Sequence, residues 1–128
     1  MDAPYHDSIA RMLSLSGDFI STYVVDLASE DYIEYKSTRE YQKLGLAKQG
    51  SRFFEHTRKD AEGVLFSDDL VAFKEAFTKE NILHQIEQKG VFTVHYRLLI
   101  GGEAKPASTR ISMAKENDED KLIVGIRI

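Results

Sequence analysis

Residues 91–128 constrain the fold more than any other stretch. Residues 91–100 read VFTVHYRLLI, in which Phe92, Val94, Tyr96, Leu98 and Ile100 alternate with Thr93, His95, Arg97 and Leu99. Side chains two apart share one side of a strand, so this is a strand with one apolar face. Gly101-Gly102 follows, a pair that tolerates the positive φ angles of a tight hairpin turn. Residues 107–114 read as a second strand, with Thr109, Ile111 and Met113 on one face. Residues 115–120 (KENDED) are wholly polar and read as a solvated loop. Residues 121–128 read as a third strand, with Leu122, Val124, Ile126 and Ile128 on one face. Three strands in succession make an antiparallel meander. Nothing in it is catalytic in character, so the sheet is a platform for something else.

A chain of 128 residues is one domain and is long enough to bury a core. It is 42% hydrophobic and 30% charged, in the range of ordinary soluble domains. A net charge of −4, with Lys and Arg scattered, gives no nucleic-acid footprint. The absence of cysteine excludes a disulfide framework, thiolate zinc sites and a cysteine nucleophile, and agrees with a cytoplasmic location. No run reaches the roughly 18 apolar residues of a membrane span. The opening MDAPYHDS lacks the basic start and apolar run of a signal peptide. The end, Gly125-Ile-Arg-Ile128, has strand character and no polar tail, as expected of a piece cut from a longer protein.

Residues 8–15 carry Ile9, Met12 and Leu13 at helical spacing, with Asp7 or Ser8 to cap the start and Gly17 to end it. This amphipathic helix is expected to lie over the sheet, to make a dimer contact, or both. Residues 1–17 are read as this helix and a linker, and residues 18–128 as the domain. Residues 19–27 (FISTYVVDL) and 31–36 (DYIEYK) read as strands of a hairpin. Ser37 and Glu40 have capping-box spacing and open a short helix that Gly45 ends. Ser51 is expected to cap a helix over residues 52–62, with Phe53, Phe54, Thr57 and Ala61 near one face. Ser67, Asp68 and Asp69 suit the start of the next helix, where side chains accept free amides and negative charge meets the positive dipole end. That helix carries Leu70, Phe73 and Phe77. Thr78 caps a further helix to Lys89, striped by Ile82, Leu83 and Ile86 and stopped by Gly90. Strands, then helices, then strands imply an α+β domain: a five-stranded antiparallel sheet with several short helices across one face. An apolar space between the two layers follows from that arrangement.

With this element order the chain resembles the PAS domains, small sensory modules of bacterial signalling proteins. The resemblance runs over residues 19–128. Phe66-Ser-Asp-Asp-Leu-Val-Ala-Phe73 is similar to the family's entry to its central helix, with Ser67 where proline is usual and Leu70 where arginine is common. Gly90-Val-Phe-Thr-Val-His-Tyr-Arg-Leu98 resembles the strand that ends in Tyr-Arg-Leu, with Gly101-Gly102 in place of an Asp-Gly hairpin. Val124-Gly125-Ile-Arg127 resembles the closing strand before a linker to an output domain. Phe77-Thr-Lys-Glu-Asn81 and the Tyr32 and Tyr35 pair resemble a subgroup found upstream of GGDEF diguanylate cyclase or sensor histidine kinase domains in anaerobic gut bacteria. The resemblance implies signal sensing, homodimerisation and no chemistry of the domain's own.

The residues bear on cofactors directly. A covalently reacting flavin needs a cysteine, and there is none. Haem needs an axial ligand such as histidine. His84 stands on the helix that supplies that ligand in some relatives, but at 100° per residue it lies about 200° from Ile82 and Ile86, away from the apolar stripe. His95 shares a strand face with Thr93 and Arg97, His56 lies in a charged stretch and His6 lies near the start; none makes a helical metal pair. No metal ligand set or cofactor is identified. Residues 116–120 (ENDED) lack the spacing and central glycine of a calcium loop. Asp68-Asp69 is accounted for by capping, and Gly101-Gly102-Glu103 is not a phosphate loop.

The aromatic residues admit two readings, a packed core or the lining of a small-molecule cavity. Phe53, Phe54, Phe73, Phe77, Ile82, Tyr96 and Arg110 are the pocket candidates, with Tyr23, Tyr35 and Thr57 as further polar groups. Ile9, Met12 and Leu13 are the dimer-helix candidates. The expected function is a non-catalytic cytoplasmic sensor that controls a following output domain through ligand or partner binding and dimer rearrangement. The alternative is a ligand-free interaction module. A third reading, a small isomerase, would place Asp26 as a base in the cavity.

Overall fold

The computed structural model describes residues 19–128. The expected helix over residues 8–15, with Ile9, Met12, Leu13 and His6 before it, lies outside them. The chain forms β1 (Ser21–Asp26), β2 (Tyr32–Ser37), α1 (Arg39–Gln42), β3 (Gln49–Gly50), α2 (Phe53–Val64), a 3-10 turn (Ser67–Asp69), α3 (Leu70–Ala76), α4 (Lys79–Lys89), β4 (Phe92–Ile100), β5 (Glu103–Glu116) and β6 (Glu119–Arg127). The strands make one antiparallel sheet in the order β3-β2-β1-β6-β5-β4. The first hairpin and the final meander therefore meet at β1 and β6, with the helices spanning between them. The sheet has six strands rather than five, because Gln49 and Gly50 pair with Ile33 and Tyr32. A two-residue strand is too short to show a period.

The alternation in the meander decides the faces. Phe92, Tyr96, Leu98 and Ile100 of β4, Ala107, Thr109 and Ile111 of β5, and Leu122, Val124 and Ile126 of β6 are buried against the helices. Fully burying an aromatic or branched side chain of this kind contributes about 1.5–3 kcal/mol. Met113 and Ile128, expected on that face, are 38% and 50% exposed. β6 is central enough that its other face is covered too, with Ile123 packed on Val24. On that face the ring of Phe19 lies over Gly125, so close that a Cβ there would run into it.

Local details depart from the expected signals in instructive ways. β5 begins at Glu103, before the expected start, and runs through Pro106. Residues 103–107 pair only with β4, so the proline sits where its strand is still an edge. The polar stretch 115–120 is not an open loop. Both strands continue into it and turn on Asn117 and Asp118, with φ of 52° and 64°. Asparagine and aspartate tolerate that left-handed geometry, which a two-residue hairpin needs. Thr38, not Ser37, caps α1, its hydroxyl accepting from the Tyr41 amide. Ser51 does not cap α2; Arg52 enters it at φ 52° without a side-chain cap. Thr78 caps α4 as expected, accepting from the Asn81 amide at 3.2 Å, and Gly90 closes that helix at φ 83°.

Candidate functional site

A cavity of about 60 Å³ lies between the helices and the inner face of the sheet. At 10–15 Å³ per water it has room for on the order of four waters, or a few heavy atoms. Its floor is Tyr23 of β1, Tyr32 of β2, Tyr96 and Leu98 of β4, Thr109 of β5, and Val124 and Ile126 of β6. Its roof is Phe53, Thr57, Asp60, Ala61 and Val64 of α2, with Phe73 and the α3-capping Phe77. Tyr41 of α1 and the loop residues Leu46 and Ala47 close one side. Among these lining residues Asp60 is the one charged side chain. Its carboxylate and Ala47 are partly solvent-facing, so the mouth opens between α2 and the loop before β3.

Four hydroxyls of the lining are paired with one another. Tyr23 and Tyr41 share a hydrogen bond at 3.0 Å, and Tyr96 and Thr109 share one at 2.5 Å. Tyr32 bonds Nδ1 of His56 at 2.9 Å, and the other ring nitrogen of His56 faces Asp60 at 3.8 Å. Burial raises the phenol of Tyr96 to about 12, against the lowering effect of Thr109. Burial also pushes Tyr23 and Tyr41 well up, and the Glu34 carboxylate adds to both. Tyr32 is raised by burial and by Asp60. These phenols are neutral donors and acceptors, not bases. A second, more polar groove lies outside Tyr41 and Leu46, lined also by Glu34, Ser37, Gln42 and Lys48. Tyr41 and Leu46 belong to both spaces and form the wall between them.

Of the pocket candidates read from sequence, Phe53, Phe73, Phe77 and Tyr96 line the cavity. Phe54 and Ile82 are buried in the core but do not line it. Arg110 is corrected outright. It is exposed, pairing with Thr93 and Gly125 on the other side of the sheet. Its neighbours Thr109 and Ile111 face inward, so alternation turns Arg110 out. Tyr23 and Thr57 line the cavity, whereas Tyr35 is 38% exposed. His84 and His95 are exposed. Among the described residues no three His, Asp or Glu side chains gather as a metal site, and no helix is long and apolar enough to cross a membrane.

Asp26 lies at the end of β1, away from the cavity. It accepts from Lys121 Nζ at 2.8 Å and from the amides of Ala28 and Ser29. The Lys121 hydrogen bond, then that of Ser29, hold its carboxyl below the usual range. It closes the β1–β2 turn. Asp69 stands at the N-cap of α3, but its side chain makes no cap bond; its carboxylate is taken by Arg97. Sequence reasoning missed Asp60, Tyr41 and the Tyr32–His56 bond. Asp60 sits one position before Ala61 on the face of α2 that holds Phe53 and Thr57. That spacing was the available signal.

No family model matches the sequence, and no curated protein matches it at a significant level. Solved structures do. A sensory box histidine kinase/response regulator from Burkholderia thailandensis superposes over 90% of this chain and 80% of its own, at 12% identity and a TM-score of 0.48. An RNA-binding light-oxygen-voltage receptor superposes over 86% of this chain at 21% identity and a TM-score of 0.51. This chain corresponds to 29% of that receptor's length. The second likeness, with a first hairpin beside the last strand of a meander and helices across one face, makes the fold PAS-like.

Proposed function

We propose that this chain is a sensory PAS domain of a bacterial signal-transduction protein. It binds a small molecule between the helices and the sheet and passes the bound state to an attached output domain, a diguanylate cyclase or a histidine kinase. The observation that carries this reading is the cavity itself: an apolar, aromatic space with hydroxyls and one carboxylate at its edge, as small-molecule sites are built. A ligand there would touch β1, β4, β5 and β6 together with α2, so its binding energy would bear on the sheet as a unit. Transmission would run through a homodimer whose two arrangements differ in affinity for the ligand. Ile9, Met12 and Leu13 are the proposed dimer contacts. The domain itself is proposed to be non-catalytic and cytoplasmic.

A ligand-free interaction module is the second reading. It is favoured by the pairing of Tyr23 with Tyr41 and of Tyr96 with Thr109, which satisfies those hydroxyls without a ligand. A native mass spectrum of freshly purified protein, with an absorption scan of the same sample, tests the two. The sensor reading expects an extra small mass on the folded protein, or one regained on adding cell extract. A bare mass under both conditions favours the interaction module.

A further inference from the structure

The charge and shape of the lining specify the class of ligand. Aromatic rings make up much of its surface, among them Tyr23, Tyr32, Tyr41, Phe53, Phe77 and Tyr96, with aliphatic side chains between them. Some of these rings touch edge to face, as in the Tyr23–Tyr32 and Tyr32–Phe53 pairs at centroid separations of 6.0 and 5.5 Å, while Phe73 and Phe77 are stacked. The ring planes around the space are therefore turned in several directions. A π face carries negative charge and attracts a cation within about 6 Å of its centroid, more strongly where water is excluded. The one charged lining side chain has the same sign. Asp60 stands at the mouth, close enough to Tyr32 for its charge to bear on that phenol. Glu34 bears in the same way on Tyr23 and Tyr41 from the outer groove.

The lining offers an anion no charged partner. It contains no lysine, arginine or histidine among the described residues. Lys48 lies in the outer groove beyond Tyr41, and His56 holds the Tyr32 hydroxyl with its other ring nitrogen 3.8 Å from Asp60. A carboxylate or phosphate in the cavity would be desolvated with only neutral hydroxyls, four of them already paired with one another, to meet it.

We propose that the cavity binds a small organic cation, an amine or methylated ammonium of a few heavy atoms, held among the tyrosine and phenylalanine rings with Asp60 as its counter-ion. This rests on the reading of the cavity as a ligand site and names the ligand's chemistry. The volume limits the ligand to a compact head rather than a chain or a nucleobase.

Three compact probes that share a trimethyl head separate the possibilities: tetramethylammonium, tert-butanol and pivalate, each titrated into the isotopically labelled protein against a sodium chloride control. Tetramethylammonium is expected to shift the amides of Thr57, Ala61 and Tyr96 saturably, and to bind at least about tenfold more tightly than tert-butanol. Pivalate is expected to leave those amides unmoved. Asp60→Asn is expected to weaken tetramethylammonium roughly tenfold and to change tert-butanol binding far less. Tighter binding of tert-butanol or pivalate than of tetramethylammonium overturns the cationic class and leaves the ligand site standing. No saturable shift around the cavity with any of the three overturns the class and the ligand-site reading together.

Discussion

Asp69 and Arg97 are joined by three hydrogen bonds. The Asp69 carboxylate accepts from the Arg97 backbone amide at 2.9 Å, from its Nε at 2.8 Å and from its Nη2 at 2.8 Å. The guanidinium also lies over the Phe66 ring, 4.4 Å from its centroid. The pair ties the start of α3 to the middle of β4, so it fixes the roof of the cavity to its floor. Planar bidentate geometry is what arginine offers and lysine does not.

The pair makes stability depend on acid pH. The Arg97 hydrogen bond holds the Asp69 carboxyl below its ordinary value of 3.8. A folded-state value lowered in this way adds stability above the unfolded value and loses it as pH falls through the folded one. Melting temperatures of the wild type and of Asp69→Asn are expected to differ near neutral pH, with the variant lower. The difference should hold constant down to about pH 5 and close below about pH 3.9. Arg97→Lys is expected to lower the melting temperature as well.

The buried phenols predict the opposite trend in alkali. Tyr96 is raised to about 12 by burial. Its neutral form is favoured by the fold, so its contribution is complete below the ordinary value of 10.0 and is lost as pH rises through 12. Ultraviolet titration should show the buried phenols ionising only as the protein unfolds. Tyr96→Phe should cost about 1–3 kcal/mol in urea denaturation, since it strands the Thr109 hydroxyl in the core.

Phe19 and Gly125 are expected to act as a coupled pair. Gly125→Ala drives a methyl into the half-buried Phe19 ring, so the ring must move. The cost is expected at the low end of overpacking, about 1 kcal/mol. Phe19→Ala in the same chain should recover part of that loss, and a double-mutant cycle measures the coupling. Strictly additive effects would show that the ring does not lie there.

The Thr78 cap gives a local test. Thr78→Ala should cost about 1 kcal/mol by losing the bond to the Asn81 amide, and Thr78→Ser should restore most of it. Denaturation of both variants checks this.

What is legible in the sequence follows from periodicity. β4 and β6 alternate so regularly that the pattern alone puts Tyr96 with Leu98, and Val124 with Ile126, on the buried side of their strands, and Thr78 and Gly90 mark both ends of α4. Features that depend on partners distant in the chain are not legible. Ser67, Asp68 and Asp69 look like a cap from nearby residues alone; Arg97, far along the chain, claims Asp69 instead. His56 reads as one member of a charged run until Tyr32 is seen against it. Asp60 reads as a surface acid until α2 is laid on the sheet. Arg110 is a different case: once Thr109 and Ile111 are assigned inward, alternation excludes it from the cavity. β3 leaves no signal because two residues, one of them glycine, cannot show a pattern.

The proposed function requires the space between helices and sheet to be open to a small molecule. Xenon pressurisation of crystals of the protein tests this, because xenon enters apolar cavities and marks them with strong scattering. A xenon site ringed by Tyr23, Phe53, Phe77 and Tyr96 is expected. Crystals that take up xenon elsewhere but show those side chains closed on one another would contradict it and leave a filled core.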